Sequence, residues 1–152
     1  MPDIIAVSGA KNSGKTTLIA KLVLYFCERG IKTAVIKHDG HKFEPDRDDS
    51  DSRTFYESGA FGTAVFDDEK FQIVKRGTAE ISSLTNVFSE ADIILLEGFK
   101  YSEYPKLWLC SDENFDGIKN IIAWIGNCSN SPCFIRDDIK CIAEYILNFI
   151  GR

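Results

Sequence analysis

With 152 residues, 44% of them hydrophobic and 27% charged, the chain has the size and composition of one soluble globular domain, expected to span residues 1–152. A formal charge of −5 and a pI near 5.0 argue against a general electrostatic footprint for nucleic acid or an anionic membrane, so a phosphate-bearing ligand needs a local device to hold it. No apolar stretch approaches the roughly 20 residues needed to span a bilayer. The N-terminus leaves no room for a secretory signal before the first motif, and five cysteines without a CxxC pair or zinc spacing suit reduced thiols, all of which points to a cytoplasmic protein.

Short β-branched runs alternate with segments of helical period, beginning with Ile4–Val7 as a strand. Leu18, Leu22 and Phe26 then mark one face of a helix starting near Lys15, and Gly30 is placed to stop it before a second strand at Thr33–Ile36. From His38 to Arg53 the chain is strongly polar, with Asp46, Asp48, Asp49 and Asp51 close together, and reads as a surface loop. Residues 62–66 and 71–74 flank a polar turn at 67–70, which predicts a β-hairpin. Further buried strands follow at Ile93–Leu96 and Ile121–Ile125. A last helix, with Asp137 as its cap, has the stripe Ile139, Ile142, Ala143, Ile146, Phe149 and Ile150. The expected fold is α/β: three layers with a mostly parallel central sheet and a β-hairpin insertion.

The pattern G-x-x-x-x-G-K-S/T is matched in full by Gly9, Ala10, Lys11, Asn12, Ser13, Gly14, Lys15 and Thr16, after a buried strand and before a helix, so the expected α/β fold is a three-layer P-loop NTPase fold. Its glycines let successive N–H groups converge on phosphate oxygens, and the helix adds its positive dipole end. Lys15 is expected at the β and γ phosphates, Thr16 on Mg²⁺, and Thr17 nearer the α phosphate. Lys11 and Asn12 either contact phosphate or face solvent. Magnesium also needs a carboxylate from a neighbouring strand end, for which Glu97, closing an apolar strand before Gly98, and Asp39, after the second strand, are both candidates. Both histidines, His38 and His41, lie in one five-residue segment. Without a supporting cysteine they favour phosphate or partner contact over transition-metal binding. No Asn/Thr-Lys-x-Asp segment reads guanine, so the motif alone does not choose between GTP and ATP.

The ordered segments Ser8–Thr17, Val35–His41, Asp51-Ser52-Arg53 with Ser58-Gly59-Ala60, Leu96–Lys100, Tyr104-Pro105-Lys106 and Ile135–Ile139 resemble the molybdopterin-guanine dinucleotide biosynthesis protein B family across nearly the whole chain. The resemblance implies a GTP-binding adapter with weak GTPase activity, acting with Mg²⁺ where a guanine nucleotide is attached to molybdopterin. It also implies a homodimer that contacts the guanylyltransferase and the molybdenum-insertion proteins, without nucleic acid or membrane. Carried over by position, the P-loop binds the nucleotide phosphates, the segments from Lys37 to His41 (with His38 and Asp39) and from Glu97 to Lys100 face that site, and Asp51 with Arg53 line the nearby loop. Lys15, Asp39 and Glu97 are the residues expected to act on the bound nucleotide. The chain departs from the family pattern at Leu107-Trp108-Leu109-Cys110, where a more charged strand is expected. No residue is evidently committed to clamping transition-state charge, which predicts slow turnover, with Arg47, Arg53 or a partner as a possible source of the missing cation. Two rival readings use the same P-loop: a small-molecule kinase, which calls for an arginine-rich lid, and a metal-insertion GTPase, which calls for Cys-Pro-His or Cys-Pro-Cys motifs that are missing here.

Overall fold

A computed structural model describes residues 1–38, 50–110 and 116–152. The chain divides into two compact units, Met1–His38 with Ile81–Arg152, and Asp39–Glu80. In the first, the elements run β1 (Asp3–Gly9), α1 (Lys15–Cys27), β2 (Thr33–Lys37) and then, beyond the second unit, α3 (Ile81–Val87), β5 (Ile93–Glu97), β6 (Lys106–Leu109), β7 (Ile121–Ile125), β8 (Cys133–Phe134) and α4 (Ile139–Phe149). The second unit contains α2 (Asp51–Glu57) and the strands β3 (Gly62–Phe66) and β4 (Phe71–Lys75).

The six strands of the first unit form one sheet in the order β2-β5-β1-β6-β7-β8, and every pairing in it is parallel. Parallel strands are covered on both faces, which is why their sequences are continuous apolar runs rather than alternations. On one face Ile5, Val7, Ile93, Leu95, Leu107 and Leu109 pack with Leu18, Leu22 and Phe26 of α1 and Ile142, Ala143 and Ile146 of α4. On the other, Ala6, Ile36, Ile94 and Leu96 pack with Leu84 of α3 and with Phe99 and Tyr104. Helices on both faces make the expected three layers. The chain leaves β1 toward β2 on one side and returns through β5 to β6 on the other, so the sheet switches direction at β1. Such a switch opens a ligand crevice beyond the C-terminal strand ends.

The departure at Leu107-Trp108-Leu109 has a physical account. All four residues of β6 are buried between β1 and β7, where a charged side chain would need partners of its own. Lys106 meets that condition: its Nζ donates to the carbonyls of Ser102 at 2.8 Å, Tyr104 at 2.9 Å and Lys119 at 2.7 Å.

Three local expectations are corrected. The polar stretch does not remain a loop up to Arg53, because Ser50 caps α2 by accepting the Arg53 N–H and the helix starts at Asp51. The cap of α4 is Asp138, which accepts the Cys141 N–H at 3.2 Å, while Asp137 is drawn away to Lys21 at 2.7 Å. Phe149 is 48% exposed and lies off the buried stripe, which runs through Ile142, Ala143 and Ile146.

The second unit holds the expected hairpin. Asp67 closes its turn, its Oδ1 accepting the N–H groups of Glu69 and Lys70, each at 2.9 Å. Register pairs Phe66 with Phe71 and Ala64 with Ile73, placing these four on one face. Phe66, Phe71 and Ile73 are exposed.

Candidate functional site

The sheet switch point is occupied by the phosphate-loop sequence. Gly9 closes β1 at φ +148°, and a Cβ there would lie 2.9 Å from the Leu109 carbonyl oxygen, so only glycine lets β1 run this close to β6 into the turn. Asn12 takes the left-handed conformation at φ 60°, which asparagine tolerates better than most residues. Gly14, at φ 93°, is the N-cap of α1 and supplies no capping side chain. The first N–H groups of α1 therefore face the crevice without a side-chain acceptor, at the positive end of the helix dipole.

Lys15 curls back over the loop, its ammonium donating to the carbonyls of Gly9, at 3.2 Å, and Ala10. Thr16 donates its hydroxyl to Glu97 Oε1 at 3.0 Å, and Lys37 Nζ lies 3.3 Å from the same oxygen. Glu97 is buried at the end of β5 beside β1, which brings its carboxylate across the sheet to the start of α1. A threonine hydroxyl and a carboxylate oxygen in contact form a hard-oxygen donor set of the kind Mg²⁺ takes. Ser13 adds a buried hydroxyl oxygen without a hydrogen-bond partner among the described residues, inside the loop itself.

The expected residues are thus distributed unevenly. Gly9–Thr16, Lys37 and Glu97 come together. His38 sits at the same strand ends, its N–H donating to the Glu97 carbonyl at 3.3 Å and its ring 5.7 Å from that of Phe99. Thr17 lines a cavity with Gly14, Leu18, Lys21, Leu109, Ile125, Arg136 and Asp137. Lys11 is exposed, and Lys100 has its ammonium 5.3 Å from the Tyr101 ring centroid. Asp39, His41 and Arg47 lie outside the described residues. Arg53 belongs to the second unit, where its Nε donates to Glu57 at 2.8 Å. Among the described residues, no cluster of three His, Cys, Asp or Glu side chains is set to hold a metal.

Two residues of the site carry no local sequence signal. Arg136, two residues beyond β8, donates to the Ser13 carbonyl at 2.7 Å and the Cys110 carbonyl at 2.9 Å, tying the phosphate loop to the end of β6. Ser8, fully buried in β1, donates its hydroxyl to the Gly98 carbonyl and so fixes the turn that follows Glu97. Both belong to segments that carry the resemblance, yet only their distant partners give them a role.

Among the described residues, no helix is long and apolar enough to cross a membrane. The architecture is similar to solved structures of molybdopterin-guanine biosynthesis protein B, with a TM-score of 0.79 at 24% identity over 98% of this chain and 99% of that one. It is likewise similar to Bacillus subtilis MobB, with a TM-score of 0.79 at 29% identity over 96% of each chain. In sequence the chain is 32% identical, over 97% of its length and 89% of the relative's, to the molybdopterin-guanine dinucleotide biosynthesis adapter protein of Haemophilus influenzae. It is 35% identical, over 80% of its length and 75% of the relative's, to the probable adapter protein of the same name from Bacillus subtilis. Residues 4–125, which carry the phosphate loop, Glu97 and the buried strands, match the family described as molybdopterin guanine dinucleotide synthesis protein B, and the chain belongs to that family.

Proposed function

We propose that this chain is a GTP-binding adapter with weak GTPase activity that assists attachment of the guanine nucleotide to molybdopterin in molybdenum cofactor biosynthesis. The observation that carries the reading is the contact between Thr16 of the phosphate loop and Glu97 of the neighbouring strand, 3.0 Å apart beside an uncapped helix N-terminus. In this reading the loop N–H groups and the α1 dipole take the β and γ phosphates. Lys15 exchanges its two carbonyl partners for phosphate oxygens, and Thr16 and Glu97 hold Mg²⁺, with Asp39 as a further candidate. Magnesium supplies charge neutralisation across the phosphates. Lys37 then keeps the remaining charge of Glu97 balanced.

Slow hydrolysis is part of the same reading. Fast phosphoryl transfer calls for a cation aimed at the developing charge. Arg136, the arginine at the phosphate loop, is engaged with two backbone carbonyls, and Arg53 with Glu57. A cation supplied by a partner, such as the guanylyltransferase or a molybdenum-insertion protein, suits an adapter better than a self-sufficient enzyme. Homodimer formation is part of the same reading. An isolated two-stranded sheet is marginal in water, and the apolar face of Ala64, Phe66, Phe71 and Ile73 gains a cover if a second copy of the chain packs against it.

The test is nucleotide affinity for GTP and ATP with and without Mg²⁺, followed by turnover with and without molybdopterin and a guanylyltransferase. We expect Mg²⁺-dependent GTP binding, slow intrinsic hydrolysis, and loss of binding in a folded Lys15→Ala variant. Rapid phosphorylation of a small acceptor, or a tight preference for ATP, would overturn the adapter reading. Unchanged GTP affinity in Lys15→Ala would overturn the phosphate assignment.

A further inference from the structure

We infer that Cys128 and Cys133 form a thiol–disulfide couple, a modification site at which a low-molecular-weight disulfide reversibly staples the segment joining β7 to β8. The two sulfurs lie 3.0 Å apart, and Cys133 Sγ also donates to the Gly126 carbonyl at 3.2 Å. Both side chains are open to a small oxidant, Cys133 exposed and Cys128 half-buried. Their approach is imposed by the backbone. The Trp124 N–H donates to the Pro132 carbonyl at 2.9 Å and the Gly126 N–H to the Phe134 carbonyl at 2.8 Å, clamping both ends of the intervening segment. A disulfide needs its sulfurs about 2.0 Å apart, so the two sulfurs have only to close from 3.0 Å. The other three cysteines, Cys27, Cys110 and Cys141, lie on α1, at the end of β6 and on α4.

The exchange is balanced without any group held by the protein. The Cys133 thiolate attacks one sulfur of the small disulfide, whose S–S bond breaks to release one thiolate and leave a mixed disulfide on Cys133. The Cys128 thiolate then attacks the Cys133 sulfur and expels the second small thiolate. The cysteine pair loses two electrons and the small disulfide gains them; the two protons pass to the two released thiolates. The hydrogen bond with Cys128, and secondarily burial, hold the Cys133 thiol above its ordinary range, so exchange accelerates as pH rises toward the alkaline side.

This site is independent of the nucleotide reading, and its test needs no nucleotide. The native full-length protein is incubated in graded mixtures of reduced and oxidised glutathione, quenched in acid, alkylated and analysed as peptides by mass spectrometry. We expect one intramolecular bond, between Cys128 and Cys133, while Cys27, Cys110 and Cys141 remain open to alkylation after unfolding. Cys128→Ser is expected to trap glutathione on Cys133 at about tenfold or more above the wild-type level, because the resolving thiol is gone. The oxidised wild type should resist proteolysis between Gly126 and Arg136, and a dithiol reductant should restore cleavage. Accumulation of glutathione on wild-type Cys133 with Cys128 still alkylatable would overturn the inference. So would uniform reaction of all five cysteines without a cross-link.

Discussion

Replacing Lys106 by methionine removes three hydrogen bonds at once while nearly conserving side-chain volume. The lysine is completely buried, and its ammonium binds the carbonyls of Ser102, Tyr104 and Lys119 at 2.7–2.9 Å. Burial pushes its pKa below the ordinary lysine value, against the pull of Glu103, so the native ion already carries a desolvation cost. Hydrogen bonds to a charged group contribute about 1.5–3 kcal/mol each. Three of them set an upper bound of about 4.5–9 kcal/mol, which is reduced because bonds sharing one ammonium are not additive. Three carbonyls then remain without their donor, and the net destabilisation is expected at about 3 kcal/mol. For a chain of this length that corresponds to a fall in Tm of about 6–12 °C. Urea unfolding followed by circular dichroism measures it, with an unchanged slope showing that the denatured state is not the cause. A loss below about 1 kcal/mol would refute the reasoning, because the carbonyls would then be satisfied equally well by water. The same substitution should loosen the turn after Glu97, since Ser102 in turn holds the Phe99 carbonyl at 2.8 Å.

Further outcomes follow from the site and its frame. Glu97→Gln should lower the Mg²⁺-dependent part of GTP affinity about tenfold or more while sparing binding in EDTA, as calorimetry in both buffers would show; equal Mg²⁺ dependence in the two proteins counts against Glu97 as a metal ligand. Gly9→Ala places a Cβ 2.9 Å from the Leu109 carbonyl oxygen at φ +148° and should destabilise by about 2–4 kcal/mol, read from the urea midpoint. Asp92 is held below the ordinary carboxylate range, first by the Lys32 N–H and then by Arg152. Its stabilisation is therefore present above the unfolded-state pKa and lost as pH falls through the lower folded value. Asp92→Asn should flatten the acid limb of the stability profile below about pH 4, and an unchanged limb would assign acid sensitivity elsewhere.

The parts of the molecule legible in the sequence are those whose cause is local. Gly9–Thr16 declares itself because a phosphate loop needs its glycines, lysine and threonine within eight consecutive positions. The strands declare themselves because burial on both faces leaves continuous apolar runs. Asp137 and Asp138 mark the opposite limit: either could cap α4 by local chemistry, and Lys21, more than a hundred residues earlier, takes the first and leaves the cap to the second. Three short elements carry no such signal, for a related reason. In α2 and α3 no residue is buried, so neither shows a strong apolar stripe, and β8 is only two residues long. Lys106 lies in a segment that carries the resemblance, and its three carbonyl partners give it a structural role in this fold. For Arg136 no pattern within the chain could have pointed to Ser13, since only the folded sheet brings the two together.

The bond from Arg136 to Ser13 also acts on an atom that the arginine does not touch. A trans peptide is planar, with its C=O and N–H pointing in opposite directions. Anchoring the Ser13 oxygen on a guanidinium therefore fixes the direction of the Gly14 N–H on the opposite side of the same plane. Rotation of that peptide, which glycine at Gly14 would otherwise make easy, is restrained before any ligand arrives. If the loop takes an anion as proposed, that anion meets a dipole already aligned, and the entropy of aligning it is lost during folding instead of during binding.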